Sequence, residues 1–137
     1  MMKEDEIFQP PWLQRNPVKE RVVMLIQMRT IVVKAGTSDL VVERFGKPGP
    51  IQEIEGFLDM SVMVKKGKRS DEEEEVVVMT RWESQEAWKR WETSDIHIQG
   101  HRENRGKPKP EHVIRTEHAM YEVKKVKGPI AVSSKAE

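Results

Sequence analysis

Three tryptophans and two histidines are concentrated in one stretch of the chain, RWESQEAWKRWETSDIHIQGH, residues 81–101. The histidines, His97 and His101, are four residues apart, and in a helix this spacing places both imidazoles on one face. Neutral imidazole is a common metal ligand. The pair therefore has two chemical interpretations: a divalent metal pair, or one haem-iron ligand beside a bystander. The alternative without chemistry is a pair of exposed helix histidines.

Other site classes find little support in the sequence. A metal pair would want a third ligand, and only carboxylates without recognisable spacing are present. The large aromatics Trp82, Trp88 and Trp91 are typical of a protein core. There is no Gly-rich phosphate loop, no serine nucleophile elbow and no HExxH zinc signature. The absence of cysteine excludes disulfides and thiolate ligands.

The charge balance does not indicate a polyanionic partner. With 24 Lys and Arg against 23 Asp and Glu, the net charge is +1, so no global field favours nucleic acid or an anionic membrane. No apolar run approaches the roughly 20 residues that a membrane-spanning helix requires. Residues 1–9 are acidic and lack the pattern of a secretory signal. We therefore expect a cytoplasmic protein with one compact core.

Hydrophobic patterning predicts the element order β, α, β, β, α, β. Glycine and proline separate the elements, and Ser84 is the expected N-cap of the second helix, with a break and restart at Thr93 to Asp95. The predicted elements are strand 21–34, helix 38–45 after a cap at Thr37, strand 57–66, strand 76–82, helix 84–92 continuing over 95–101, and strand 112–126.

Three regions follow from this division. Residues 1–20 carry Pro10, Pro11 and Pro17 and are expected to form an N-terminal extension, residues 21–127 the folded domain, and residues 128–137 a flexible tail. The charged segment GKRSDEEEE is interpreted as a solvated hairpin loop. Alternation along the first strand groups Gln27 and Arg29 with its more polar face.

The element order is that of a ferredoxin-like α+β fold, in which an antiparallel sheet carries its helices on one face. The other face of such a sheet is then apolar and uncovered. A homodimer that packs sheet on sheet would cover it, as a dimeric α+β barrel.

Specific segments carry a resemblance to a known family. They are GTSDLVVERF, EGFLDM at the start of the second strand, and TRWESQEAWKRWETSDIHIQGH. In these segments, over roughly residues 22–126, the chain resembles the IsdG-type haem-degrading monooxygenases of the antibiotic biosynthesis monooxygenase (ABM) superfamily. The resemblance implies a dimeric ferredoxin-like fold.

The resemblance also implies roles for four residues. His101 corresponds to the proximal haem-iron ligand, and Trp91 to a tryptophan that presses on the porphyrin and distorts it. Phe45 matches a phenylalanine lining the same pocket. The family places an asparagine on its first strand as a hydrogen-bond donor near the iron-bound oxygen; counted back from Gly36 without gaps, that position is Arg29, a longer and permanently charged donor.

The implied activity is the oxidative opening of haem, which is both cofactor and substrate, with O₂ and an external electron donor. Two alternatives stay open. One is a cofactor-free ABM monooxygenase acting on a quinol-like substrate in the same pocket. The other is a non-catalytic protein that binds haem or another ligand, which the replacement of asparagine by Arg29 favours.

Overall fold

The computed structural model describes residues 24–67 and 71–130. The predicted N-terminal extension, residues 1–20, lies outside the described residues, as do residues 131–137 of the predicted tail. Residues 123–130 follow the last strand without regular secondary structure.

The described chain forms a four-stranded antiparallel sheet with three α-helices. The strand order is β2-β3-β1-β4, with β1 and β3 in the interior of the sheet. This is the predicted ferredoxin-like fold, which is confirmed. The elements are β1 (Leu25–Lys34), α1 (Ser38–Gly46), a 3₁₀ turn (Pro50–Glu53), β2 (Phe57–Val64), β3 (Glu73–Trp82), α2 (Gln85–Glu92), α3 (Asp95–Asn104) and β4 (Val113–Glu122).

One face of the sheet carries two separate clusters of buried apolar side chains. The first joins Val41 of α1 to the sheet, and its buried members are Ile31, Val33, Val41, Val76, Val78 and Val113. The second joins Ala87 of α2 to Leu25 and Trp82 at the other end of the sheet. Because residues in a strand alternate between faces, these side chains define the face that the helices cover.

The opposite face has no helix among the described residues. Ile26, Met28 and Met79 lie next to one another on it and are half-buried, and Tyr121 at its edge is 56% exposed. Asp59 and Arg81 also share this face and form a bidentate ion pair, with Arg81 Nε 2.8 Å from Asp59 Oδ1. This hydrogen bond lowers the pKa of Asp59. The surface is therefore apolar at its centre and charged toward one edge.

The acidic segment departs from the sequence prediction. The sequence predicts a solvated loop here, yet β3 begins at Glu73, and Glu73 to Glu75 pair with the end of β1. Glu74 Oε1 accepts a hydrogen bond from the backbone N–H of Ser38 at 3.1 Å. Thr37 is the N-cap residue of α1, but its side chain makes no cap bond and donates instead to the carbonyl of Lys34. The carboxylate of Glu74 in β3 thus stabilises the positive N-terminal end of α1.

A close approach at Gly56 positions α2. Gly56 has a φ of 96°, and its carbonyl accepts a hydrogen bond from Glu83 N–H at 2.8 Å. A Cβ added at Gly56 would lie 2.3 Å from the Cβ of Ala87. Arg90 donates to the neighbouring carbonyl of Glu55 at 2.9 Å. The start of β2 and the buried face of α2 therefore fit together only with glycine at this position.

We predict that Gly56→Ala lowers the free energy of unfolding by about 2–4 kcal/mol, because it combines a strained positive φ with overpacking against Ala87. Gly36→Ala is the matched control, since Gly36 has a φ of 85° and nothing within 4 Å of an added Cβ. It should cost only the backbone strain, about 1–2 kcal/mol. Urea denaturation of both variants measures the difference, and equal losses would contradict the packing argument.

Candidate functional site

A cavity of about 400 Å³ lies between the sheet and the helices. Its size is within the range of about 300–1,000 Å³ that is usual for cofactor and ligand sites. It occurs where the two apolar clusters leave a gap. On β1, Leu25 belongs to one cluster and Ile31 to the other, and the inward-facing residues between them are Gln27 and Arg29. Both of these polar side chains line the cavity.

The neighbouring strands repeat this arrangement. Thr80 of β3 lies opposite Gln27 and His118 of β4 lies opposite Arg29, and both line the cavity. Trp82 is fully buried, and its indole N–H donates to Gln27 Oε1 at 3.3 Å. This bond uses the amide oxygen of Gln27, so the remaining polar group of that side chain is its NH₂ donor.

A break between two helices forms the opposite wall. Ser84 caps α2 by accepting from Ala87 N–H at 3.1 Å, as predicted from the sequence. Ser94 caps α3 by accepting from His97 N–H at 3.2 Å, and its hydroxyl donates to the carbonyl of Trp91 at 2.8 Å. The predicted restart is thus confirmed, and one serine ties the end of α2 to the start of α3.

Trp91, His97 and His101 lie in a row along this wall. The ring centroids of Trp91 and His97 are 4.7 Å apart, and those of His97 and His101 are 4.4 Å apart. The Nε2 atoms of the two histidines are separated by 3.0 Å, a hydrogen-bond distance in which the tautomers decide which ring donates. Glu92 Oε2 lies 3.5 Å from His97 Nε2.

The environment favours neutral His97. Desolvation lowers its pKa, the carboxylate of Glu92 opposes this shift, and His101 and Arg29 add to it. A neutral imidazole retains one nitrogen lone pair that can accept a proton or bind a metal ion.

Two arginines supply positive charge beside Phe45. The guanidinium carbon of Arg29 lies 5.4 Å from the centroid of the Phe45 ring, and that of Arg44 lies 5.1 Å from it. Burial lowers the pKa of Arg29, and Arg44 lowers it further, while Glu92 raises it. A second depression next to the cavity includes both arginines together with Trp91, His97 and His101. This side of the site suits an anionic group.

All four residues singled out by the resemblance lie around one cavity: Arg29 from β1, Phe45 from α1, Trp91 from α2 and His101 from α3. Their placement is what the structure adds; their roles stay predictions. Sequence reasoning did not select Gln27, Arg44, Thr80 or His118. The polar residues within the alternation of strand one are a signal that could have identified Gln27.

Among residues 24–67 and 71–130, no group of three or more His, Asp or Glu side chains is arranged to hold a metal ion. None of the helices in these segments is long and apolar enough to cross a membrane.

Comparison with known proteins supports the predicted relationship at the level of sequence. The heme-degrading monooxygenase HmoA of Bacillus subtilis (strain 168) is 52% identical over 104 residues, which is 76% of this chain and 94% of HmoA. A heme-degrading monooxygenase of Halalkalibacterium halodurans is 30% identical over 110 residues, which is 80% of this chain and 90% of the relative.

Solved structures give the same relationship. A Bacillus cereus protein assigned to the antibiotic biosynthesis monooxygenases has a TM-score of 0.67 at 50% identity, covering 78% of this chain and 99% of the other. The heme-degrader MhuD from Mycobacterium tuberculosis, solved with two hemes bound in its active site, has a TM-score of 0.53 at 25% identity, covering 76% of this chain and 99% of MhuD.

The profile of one family, described as antibiotic biosynthesis monooxygenase, matches residues 24–103. This segment contains the sheet strands β1 to β3 and every cavity residue that the resemblance selected. Because the match covers more than half of the chain and agrees with a 52% identical relative, the chain belongs to the antibiotic biosynthesis monooxygenase family.

Proposed function

We propose that this protein is a haem-degrading monooxygenase that binds haem through His101 and opens the porphyrin oxidatively, with O₂ and an external electron donor, releasing iron. One observation carries the proposal: His101, Trp91, Phe45 and Arg29 converge from four elements on a single cavity. The two heme-degrading relatives support the same activity.

The residues present fit haem in type and arrangement. An imidazole is a usual axial ligand of haem iron, and His101 is exposed to solvent on the helical wall. Trp91, Phe45, Ile51 and Met60 provide apolar surface for a flat macrocycle. Arg29 and Arg44 lie on the same side of the site and can pair with the carboxylates of the propionate groups.

Each side chain then has a distinct task. His101 would hold the iron of a bound haem through Nε2, in place of its hydrogen bond to His97. Trp91 would press on the macrocycle, and Phe45 would exclude water from the adjacent wall. When bound, haem supplies the iron that activates O₂ and the ring carbon that is oxidised, so it serves as cofactor and substrate together.

Two side chains can act as the distal hydrogen-bond donor. Arg29 occupies the position counted from Gly36, but its guanidinium lies against Phe45 beside Arg44. Gln27 faces the same cavity two residues earlier and offers a neutral NH₂ group. We infer that Gln27 is chemically nearer to the asparagine of the family, and that Arg29 serves the propionate side.

Titration of the purified protein with haemin, followed by ascorbate in air with catalase present, tests the function. We expect a bound Soret band that is then lost, because the porphyrin is consumed. A bound Soret band that persists would instead indicate a haem-binding protein without this activity. Absence of binding would favour a cofactor-free monooxygenase acting on a quinol-like substrate.

His101→Ala should abolish the Soret shift, because it removes the proposed iron ligand. His112→Ala is the control, since the side chain of His112 does not line the cavity. If the haem spectrum of His101→Ala equals that of the wild type, His101 is not the iron ligand.

Trp91→Phe should still bind haem but slow its breakdown about tenfold, which corresponds to about 1.4 kcal/mol in the barrier. The smaller ring leaves a gap where the indole would press on the porphyrin. The rate of Soret decay measures this effect. A decay rate equal to that of the wild type would contradict a distorting role for Trp91.

We also propose that the uncovered sheet face packs against a second copy of the chain. Light scattering should then give twice the chain mass of 16.0 kDa. Met28→Glu should yield monomers, because an unpaired charge at the centre of the apolar face is costly to bury. Leu40→Glu, on the exposed part of α1, is the control. Monomers in the wild type, or dimers in Met28→Glu, would contradict the proposal.

A further inference from the structure

The Nε2 atoms of the helical pair His97 and His101 lie at a distance that suits two ligands of one metal ion. Histidine nitrogens bind transition metals at about 2.0–2.1 Å. Two nitrogens on one ion therefore lie about 2.9 Å apart at the right angle of an octahedral or square-planar ion, and about 3.3 Å apart at the tetrahedral angle that Zn²⁺ prefers. The Nε2 atoms of His97 and His101 are 3.0 Å apart. The same distance fits a hydrogen bond in which the Nε2–H of one ring donates to the Nε2 of the other. When the donating ring carries its proton on Nδ1 instead, both Nε2 lone pairs are free to bind one cation.

The surroundings hold this geometry in place. Ser94 caps the first turn of α3 and binds the backbone N–H of His97, while the imidazole of His97 packs on Trp91. The side chain of His97 is only 16% exposed, so few other rotamers are open to it. The carboxylate of Glu92, 3.5 Å from His97 Nε2, attracts a cation, whereas the charge of Arg29 opposes one.

We propose that His97 and His101 form a two-histidine site for a divalent transition-metal cation, completed by water, and that this cation and haem exclude each other. Imidazole pairs favour ions such as Zn²⁺, Ni²⁺ and Cu²⁺ over Mg²⁺ or Ca²⁺. The exclusion, although not the cation site itself, rests on the proposed function, in which His101 is the haem ligand.

The exclusion follows from coordination geometry. The four nitrogens of a porphyrin occupy all the positions at right angles to an axial histidine. His97 Nε2 lies, relative to His101 Nε2, at the distance of such a right-angle position. An ion bound by both histidines therefore leaves no room for the porphyrin, and a haem on His101 displaces His97. His97 thus determines whether the site can hold a free cation as well as haem iron.

Calorimetric titration of the full chain with Zn²⁺ tests the cation site. The wild type should bind one Zn²⁺ per chain. His97→Phe keeps an aromatic ring against Trp91 but removes both nitrogens, and should weaken binding at least about tenfold, because the second ligand of a chelate acts at high effective concentration. His101→Ala should weaken it similarly, and His112→Ala should not change it. Circular dichroism establishes that each variant is folded.

Failure of the wild type to bind Zn²⁺, or equal binding by His97→Phe, would overturn the cation site. The exclusion is measured separately, by haemin titration with and without saturating Zn²⁺. Zn²⁺ should raise the haemin concentration at half-saturation in the wild type but not in His97→Phe. An unchanged haemin curve in zinc-loaded wild type would overturn the exclusion. If His101→Ala binds haemin normally, the proposed haem ligand is wrong, while the zinc titration still decides the cation site.

Discussion

The site depends on a gap between two apolar clusters on one face of a sheet. A fully apolar inner face would pack against the helices and close, since protein interiors are filled to a high density. Here Gln27 and Arg29 on β1, and Thr80 on β3, interrupt the apolar series between Leu25 with Trp82 at one end and Ile31 with Val76 at the other. The cavity is the consequence, and its polar floor is built into the strands.

The helices add the groups that make this cavity chemically specific. The close contact between Gly56 and Ala87 sets the position of α2, and the shared hydrogen bonds of Ser94 set the start of α3 relative to the end of α2. Trp91 and the two histidines consequently lie in one row facing the strands. A single long helix would turn these side chains through a continuous 100° per residue and would not bring Trp91 against His97 in this way.

The site has a positively charged side and a neutral side. The guanidinium groups of Arg29 and Arg44 flank Phe45, whereas the desolvated His97 favours its neutral form. A ligand with an apolar body, a metal and anionic groups at one edge matches this division, and haem has these features. The hydrogen bond between His97 and His101 places Nε2 of His97 3.0 Å from the proposed ligand atom, Nε2 of His101. A metal ion that binds Nε2 of His101 must therefore replace the hydrogen bond of this nitrogen to His97.

The sequence alone determined the element order, the helix break at Thr93 to Asp95 and the family, because periodicity, caps and motif spacing are local properties of the chain. It also indicated His101, Trp91, Phe45 and Arg29 through the resemblance. Only the tertiary structure decided the contacts between residues that are distant in the chain. It brought Glu74 from an apparently solvated acidic run to the start of α1, and it showed that the polar face of β1 is the one beneath the helices. It also placed Gln27 and Arg44 beside the predicted residues and set the 3.0 Å between the histidine nitrogens. These outcomes depend on strand register and helix docking, in which residues distant in the chain determine one another's surroundings.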